Sequence, residues 1–418
     1  MVARKEMSID ERRKYLGRML KRYQAANRTE KGKLLDEMEL VTQMHRKSIV
    51  RLLHAGGLER KKRKKERGKV YGADVQHNLS VIAESFGYIC AQRLHGNLDW
   101  MVDMLVEHGE LHPTPEVKEK LQRASISTLQ RLLQGIDRDV YYMARSKPKQ
   151  QNTLMAAIPA RRLPWNESEP GHMEIDLVQH CGKANEGEFA YSLQMVDVAT
   201  GWSEIAAILG RSQLVVEDAC QRILDRIPFA ILQLHPDNGG EFLNHHLMRF
   251  WKDAVPQLYW SRSRTYKNND NRFVEQKNSS LIRAWFGFER IDTVKQVNAM
   301  NDFYEKLRLY YNLLQPVMRL KEKRVYEDKR GDYRVRRIYG QALTPFERLC
   351  ATKAIAPEEI PAWQSRREAI NPRHLRLEMH RLRDRIMEMP GAQPGRTEDV
   401  YLTLLPKTQK LYLGNIII

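Results

Sequence analysis

His172-Met173-Glu174-Ile175-Asp176-Leu177-Val178 alternates polar and apolar side chains, the period-two pattern of a strand with one buried face. Working outward, residues 189–198 and 201–209 read as two more strands, and Asp197-Val-Ala-Thr-Gly201 is the turn that makes them a hairpin. Residues 214–227 then predict an amphipathic helix, 230–234 a short buried strand, 244–254 a helix, 257–261 a strand and 274–288 a helix. Three strands followed by alternating helices and strands predict a mixed sheet covered by helices, an α/β or α+β layer fold.

Around this segment the composition changes. The 418 residues carry 70 Lys plus Arg against 52 Asp plus Glu, a net charge of +18, with 42% hydrophobic positions. That apolar share suits packed cores, and at roughly 100–200 residues per domain the length suggests two to four domains. Residues 171–316 have a net charge of −2, so the flanks carry +20. Clustered Lys and Arg neutralise phosphates and release their counterions, so the segregated charge points to nucleic acid. No run approaches the roughly 18 apolar residues of a membrane span, and the first ten residues lack the apolar core of a signal peptide. A cytoplasmic, nucleoid-associated location is expected. Cys90, Cys181, Cys220 and Cys350 are far apart and form no CxxC pair, which supports neither a disulfide framework nor a zinc site.

The flanks before the sheet read as helical. Ser8-Ile-Asp-Glu11 is a capping-box pattern, and apolar residues recur at helical spacing from Ile9 to Tyr23 and from Leu34 to Val41. After the break at Thr42-Gln43-Met44, residues 45–53 predict a short helix that buries Ile49, Leu52 and Leu53 and presents Arg46, Lys47 and Arg51. This is a helix-turn-helix shape, suited to a major groove, although short helical pairs are common in α-domains. Residues 60–69 hold eight basic residues and one acid and read as a linker. The expected organisation is a helix-turn-helix DNA-binding region with linker over 1–70, a second helical DNA-binding region over 71–145, a linker over 146–170, the sheet domain over 171–316, a basic C-terminal domain over 317–390 and a tail over 391–418. Within the last two, 333–339 predicts a strand and 373–388 a helix.

Three acids fall at the ends of elements. Asp176 stands in an otherwise apolar strand, where a carboxylate needs a partner or a metal. Asp237 follows the short strand in His235-Pro-Asp-Asn-Gly-Gly-Glu-Phe242, and ligands favour the carboxyl ends of strands. Glu275 opens a helix after the polar loop 266–271. Convergent carboxylates repel one another, and Mg²⁺ relieves the repulsion. Each acid also has a structural reading: Asp-Asn-Gly is a turn signal, and Glu275 suits the positive end of a helix dipole. Glu174, Glu241 and Asp270 are rival ligands, whereas Asp197 reads as a turn residue.

Gly171-His-Met-Glu-Ile-Asp176, Val196-Asp-Val-Ala-Thr-Gly-Trp202, Asp237-Asn-Gly-Gly-Glu-Phe242 and Tyr266-Lys-Asn-Asn-Asp-Asn-Arg-Phe-Val-Glu-Gln-Lys-Asn278 occur in this order. Together they resemble the integrase-core DDE transposases of bacterial insertion sequences, in the retroviral-integrase superfamily. That resemblance implies a ribonuclease H-like core with the triad Asp176, Asp237 and Glu275. Between the last two lie 37 residues, against about 35 in the family motif, a difference a loop absorbs. Many relatives carry a basic residue one or two turns after the glutamate. Here Ser279 and Ile282 stand there, leaving Lys277 and Arg283 as substitutes. The His/Cys zinc module of retroviral integrases is not matched.

The resemblance further implies hydrolysis and strand transfer at terminal inverted repeats, with two Mg²⁺ ions roughly 4 Å apart, or Mn²⁺ in their place. Asp176 would bridge both ions, and Asn238, Lys277 and Asn278 would stand behind the triad. Arg262, Arg264, Lys267 and Arg283 would hold phosphates near the site, while Arg46, Lys47, Arg51 and the basic linker dock the element end. Pairing two DNA ends implies a homo-oligomer. Two rivals are a DNA-binding regulator or inactive remnant, and a structure-selective nuclease sharing the fold.

Overall fold

The computed structural model describes residues 7–54, 70–136, 158–159, 161, 163–164, 167–183, 186–237, 241–264, 270–327, 333–393 and 395–408. The chain divides into two compact units, Met1–Val70 and Tyr71–Ile418. In the first, α1 (Ile9–Ala25), α2 (Arg28–Thr42) and α3 (Arg46–His54) enclose Leu16, Met19, Leu35, Met38, Ile49 and Leu53. The Ser8 capping box forms as expected: the Glu11 N–H donates to Ser8 Oγ, and the Ser8 N–H donates to Glu11 Oε2. Gln43 ends α2 in the left-handed region at φ 54°. On α3, Ile49 and Leu53 are buried, while Lys47 and Arg51 are exposed. Arg46 pairs with Asp36 and also donates to Gly32 O.

The second unit begins with α4 (Ala73–Ser85), α5 (Ala91–His95), α6 (Leu98–Glu107), α7 (Pro115–Arg123) and α8 (Ile126–Leu133). It continues as β1 (His172–His180), β2 (Ala190–Asp197), β3 (Ser203–Leu209), α9 (Gln213–Leu224), β4 (Gln233–Pro236), α10 (His245–Ala254) and β5 (Tyr259–Trp260). After the site region come α11 (Arg272–Lys277), a π-helical segment (Asn278–Arg283), α12 (Ala284–Phe286) and α13 (Val294–Leu309), itself continued by a π segment (Tyr310–Leu314). The chain then forms β6 (Leu320–Glu327), β7 (Tyr333–Tyr339), α14 (Pro345–Cys350), α15 (Ile360–Glu368) and α16 (Pro372–Glu388).

The main sheet has the order β3-β2-β1-β4-β5, with β2 antiparallel to both β1 and β3 and with β4 and β5 parallel to β1. This is a mixed sheet with flanking helices, as the sequence predicts. Every residue of β2 and β3 is buried, because helices cover both strands. The outer strand β3 is tied to α13 and the π segment after it by two asparagines. Asn301 exchanges two 2.9 Å bonds with the Ala207 backbone, and Asn312 does the same with Ser203. Such cover satisfies an edge that would otherwise recruit another strand.

The hairpin after β2 depends on Asp197, whose carboxylate accepts from Thr200 N, Thr200 Oγ1 and Gly171 N at 2.6–2.9 Å. It is the turn residue the sequence predicts. Gly171 sits at φ 109°, and a Cβ there would meet Ala230 O at 2.5 Å, so only glycine fits this start of β1. One hydrophobic core runs from Val75 on α4 through the sheet to Ile386 on α16. Polar links cross it as well: Tyr310 Oη donates to Ser85 O and Asn97 Nδ2 to Ala342 O. No helix among the described residues is long and apolar enough to cross a membrane.

Candidate active site

The parallel pairing of β1 with β4 runs from His172↔Gln233 to Ile175↔Pro236. The next residue on each strand is Asp176 and Asp237. Adjacent strands lie about 4.8 Å apart and pleat together, so this register sets the two acids side by side, Asp237 just past the carboxyl end of β4 and Asp176 midway along β1. Each is half-buried, whereas Glu174 and His235, two residues back, are fully buried.

The third acid arrives on α11, and Glu174 holds that helix. Its Oε2 accepts from the backbone N–H of Phe273 at 2.7 Å and of Val274 at 2.9 Å, two of the unpaired donors in the first helical turn. Glu174 therefore clamps β1, which carries Asp176, to the start of α11, which carries Glu275. Burial pushes its carboxyl up to about 7, against the opposing pull of the two N–H groups and of Arg272 and Arg319. Its Oε1 has no hydrogen-bond partner among the described residues. From the sequence Glu174 is a rival ligand by strand parity; the contact with α11 joins positions about 100 residues apart, which periodicity does not reveal.

Glu275 lies close enough to Asp237 to feel its charge. Partial desolvation first, and the Asp237 carboxylate second, raise the Glu275 carboxyl above its usual range. Asn278, one turn further, donates from Nδ2 to Asp176 Oδ2 at 2.7 Å, and Asp176 Oδ1 accepts from the Leu177 N–H at 2.9 Å. Asn278 opens the π segment Asn278–Arg283. Such wide turns inside helices recur at functional sites, and sequence periodicity gives no warning of them.

The other expected residues have different surroundings. Lys277 sets its ammonium 4.6 Å from the Tyr311 ring. Burial, then repulsion from Arg93, Arg319 and Arg348, lowers it to about 7. Arg264 is forked onto Asp270 through Nε and Nη2 at 2.8–2.9 Å, so this rival ligand serves as the partner of an arginine. Arg262 Nε donates to Ile158 O, and Arg283 donates to Gln179 O and Gly287 O. Asn238 and Lys267 lie outside the described residues, as does the basic linker 60–69.

Among the described residues no three His, Cys, Asp or Glu side chains are gathered closely enough to form a ready metal cage. Mg²⁺ does not require one. It is commonly bound by one or two carboxylates, with water and substrate phosphate completing the shell. An all-oxygen donor set with two mutually repelling carboxylates fits that ion.

No protein-family model matches the chain. The uncharacterized protein y4rM of Sinorhizobium fredii (strain NBRC 101917 / NGR234) is 29% identical over 320 residues, covering 76% of this chain and 91% of that protein. Among solved structures, the catalytic core domain of BIV integrase aligns at 16% identity and TM-score 0.26, covering 35% of this chain and 86% of its own. The HTLV-2 integrase catalytic core in complex with magnesium aligns at 15% and 0.26, covering 35% and 90%. The simian T-cell lymphotropic virus intasome in complex with PP2A regulatory subunit B56 gamma aligns at 12% and 0.28, covering 51% and 70%.

Proposed function

We propose that the protein is a metal-dependent polynucleotidyl transferase of the DDE transposase kind, which hydrolyses and joins phosphodiesters at the terminal inverted repeats of an insertion sequence. The observation that carries this reading is the β1–β4 register. It brings Asp176, midway along β1, beside Asp237 at the carboxyl end of β4, with Glu275 within reach of the Asp237 charge.

Asp176, Asp237 and Glu275 would hold Mg²⁺, which when bound supplies Lewis-acid stabilisation of the phosphoryl oxygens and a stronger oxygen nucleophile. The chain's own residues do the rest. Asn278 fixes the orientation of Asp176 through their 2.7 Å bond, leaving the remaining carboxylate lone pairs for the ion. Glu174 keeps α11 against β1, so Glu275 cannot drift from the two strand carboxylates. Lys47 and Arg51 are exposed along one side of α3 and would meet the phosphates or bases of the element end, with Arg46 braced by Asp36. Arg264, held by Asp270 yet partly exposed, would take a phosphate. A homo-oligomer would pair the two ends.

The test is a joining assay in Mg²⁺ with DNA carrying the ends of the element that encodes the protein. Joined products support the reading. End binding without cutting or joining would make the protein a regulator or remnant, and cutting without joining would make it a nuclease.

A further inference from the structure

Beyond the carboxylates, the same helical stretch borders a second concavity. A cavity of about 530 Å³ opens between the α4–α5 connection, the π segment after α11, α13 and α16. Arg93, Arg376 and Arg383 line it together with the rings of Tyr88, Trp285 and Tyr310, and among the described residues no aspartate or glutamate does. Ligand sites span roughly 300–1,000 Å³, so the space suits a molecule of small-cofactor size.

The arginines are not equivalent. Arg383 pairs with the neighbouring Asp384 and donates to Trp285 O. Arg376 lies 5.6 Å from the Tyr88 ring centroid and 5.7 Å from that of Trp285, and its charge acts on the Tyr310 hydroxyl beside it. It has no carboxylate partner among the described residues. Neither has Arg93, whose guanidinium makes no hydrogen bond or ion pair with any of them. Two guanidinium groups held in one concavity without an acid make a receptor for an anion.

The aromatic wall adds a requirement. Trp285 has the His380 ring 4.8 Å away and the Arg376 guanidinium over it, a platform of planar groups. Tyr88 adopts φ 53° directly after Gly87 at φ 71°. A left-handed tyrosine is rare, and such backbone is characteristic of ligand sites. Planar rings beside arginines are how proteins accept a nucleobase with its phosphate.

We propose that this cavity is a nucleotide-binding site, with the phosphate on Arg93 and Arg376 and the base against Trp285 and Tyr88. It is distinct from the carboxylate centre and does not depend on the metal chemistry proposed above. The nucleotide comes either from a single strand of DNA or from the free pool.

The experiment follows Trp285 fluorescence in the full chain, in EDTA so that no metal-dependent reaction intervenes. Deoxyadenosine monophosphate, hexathymidylate and inorganic phosphate are titrated in turn. Saturable quenching by the mononucleotide, lost in Trp285→Phe and weakened about tenfold or more in Arg376→Gln and Arg93→Gln, identifies the free pool as the source. The same pattern with hexathymidylate alone identifies a strand. Ser280→Phe, which fills the mouth while leaving every arginine in place, should block either ligand even if Arg376→Gln folds poorly. The proposal is overturned if no quenching depends on Trp285, if the arginine and Ser280 variants bind like the parent, or if phosphate competes as strongly as the mononucleotide.

Discussion

Glu174→Ala removes the acceptor for the N–H groups of Phe273 and Val274 from a position that is 0% exposed. Each buried donor left without a partner costs roughly 1–3 kcal/mol. Phe273 is only half-buried and water can reach part of the turn, so the low end applies and the loss is about 2–4 kcal/mol. Glu174→Gln keeps an oxygen where Oε2 now sits and should lose about 1 kcal/mol, the difference between charge-assisted and neutral bonds. Activity should respond more steeply than stability. If α11 shifts by 1 Å, Glu275 leaves its place beside Asp237, and misplacement on that scale lowers a rate by about 10²-fold. Urea unfolding gives the first quantity, and metal-dependent DNA joining of the folded fraction gives the second. The reasoning is refuted if Glu174→Ala unfolds and joins like the parent, or if Glu174→Gln loses as much activity as Glu174→Ala while remaining folded.

Three further outcomes are expected. Asn278→Ala should leave the urea midpoint nearly unchanged and lower Mg²⁺-dependent activity roughly 10–100-fold, because it frees Asp176 Oδ2 to rotate; unchanged metal dependence would contradict this. His180, buried between Ser192 and the edge of the Phe286 ring, is lowered to about 3 by burial. The unfolded chain therefore binds a proton that the folded chain does not between about pH 3 and 6.5, and stability falls as pH drops through that window by about 1.4 kcal/mol per unit. Urea titrations from pH 7 to 4.5 should show this slope reduced in His180→Asn, and an equal slope would count against it. Deleting residues 1–70, a compact unit by itself, should abolish preference for the element ends in band-shift competition while leaving metal-dependent cleavage of unrelated DNA; retained preference would place end recognition elsewhere.

Much of the sheet is legible in the sequence because alternation and burial agree there. The first three strands and the turn at Asp197 follow from period two and from turn chemistry. The fourth strand does not. The apolar run at 230–234 predicts it, yet it forms at Gln233–Pro236, with Leu232 37% exposed. Gln233 bonds Ser261, Arg161 and His172, and His235 Nδ1 bonds Ser261; partners so far away leave no local signal. The helix Val294–Leu309 also goes unread among its Asn, Asp and Lys residues, although Thr293 and Gln296 form a capping box. Likewise β6 is largely exposed and strongly charged, so only its partner β7 shows a strand pattern. At the site, residue type and order offer Asp176, Asp237 and Glu275 alongside the rivals Glu174, Glu241 and Asp270, and only the family resemblance picks out the triad. The clamp by Glu174 and the bond from Asn278 depend on contacts between distant segments.

The most direct test of the account is Glu275→Gln, which preserves size and removes the charge. In Mg²⁺, with DNA carrying the element's own ends, the account predicts that the intact protein joins strands, and that the variant binds the same DNA but forms no joined product. Joining at the parent's rate by Glu275→Gln would contradict the assignment of the third carboxylate and the mechanism built on it.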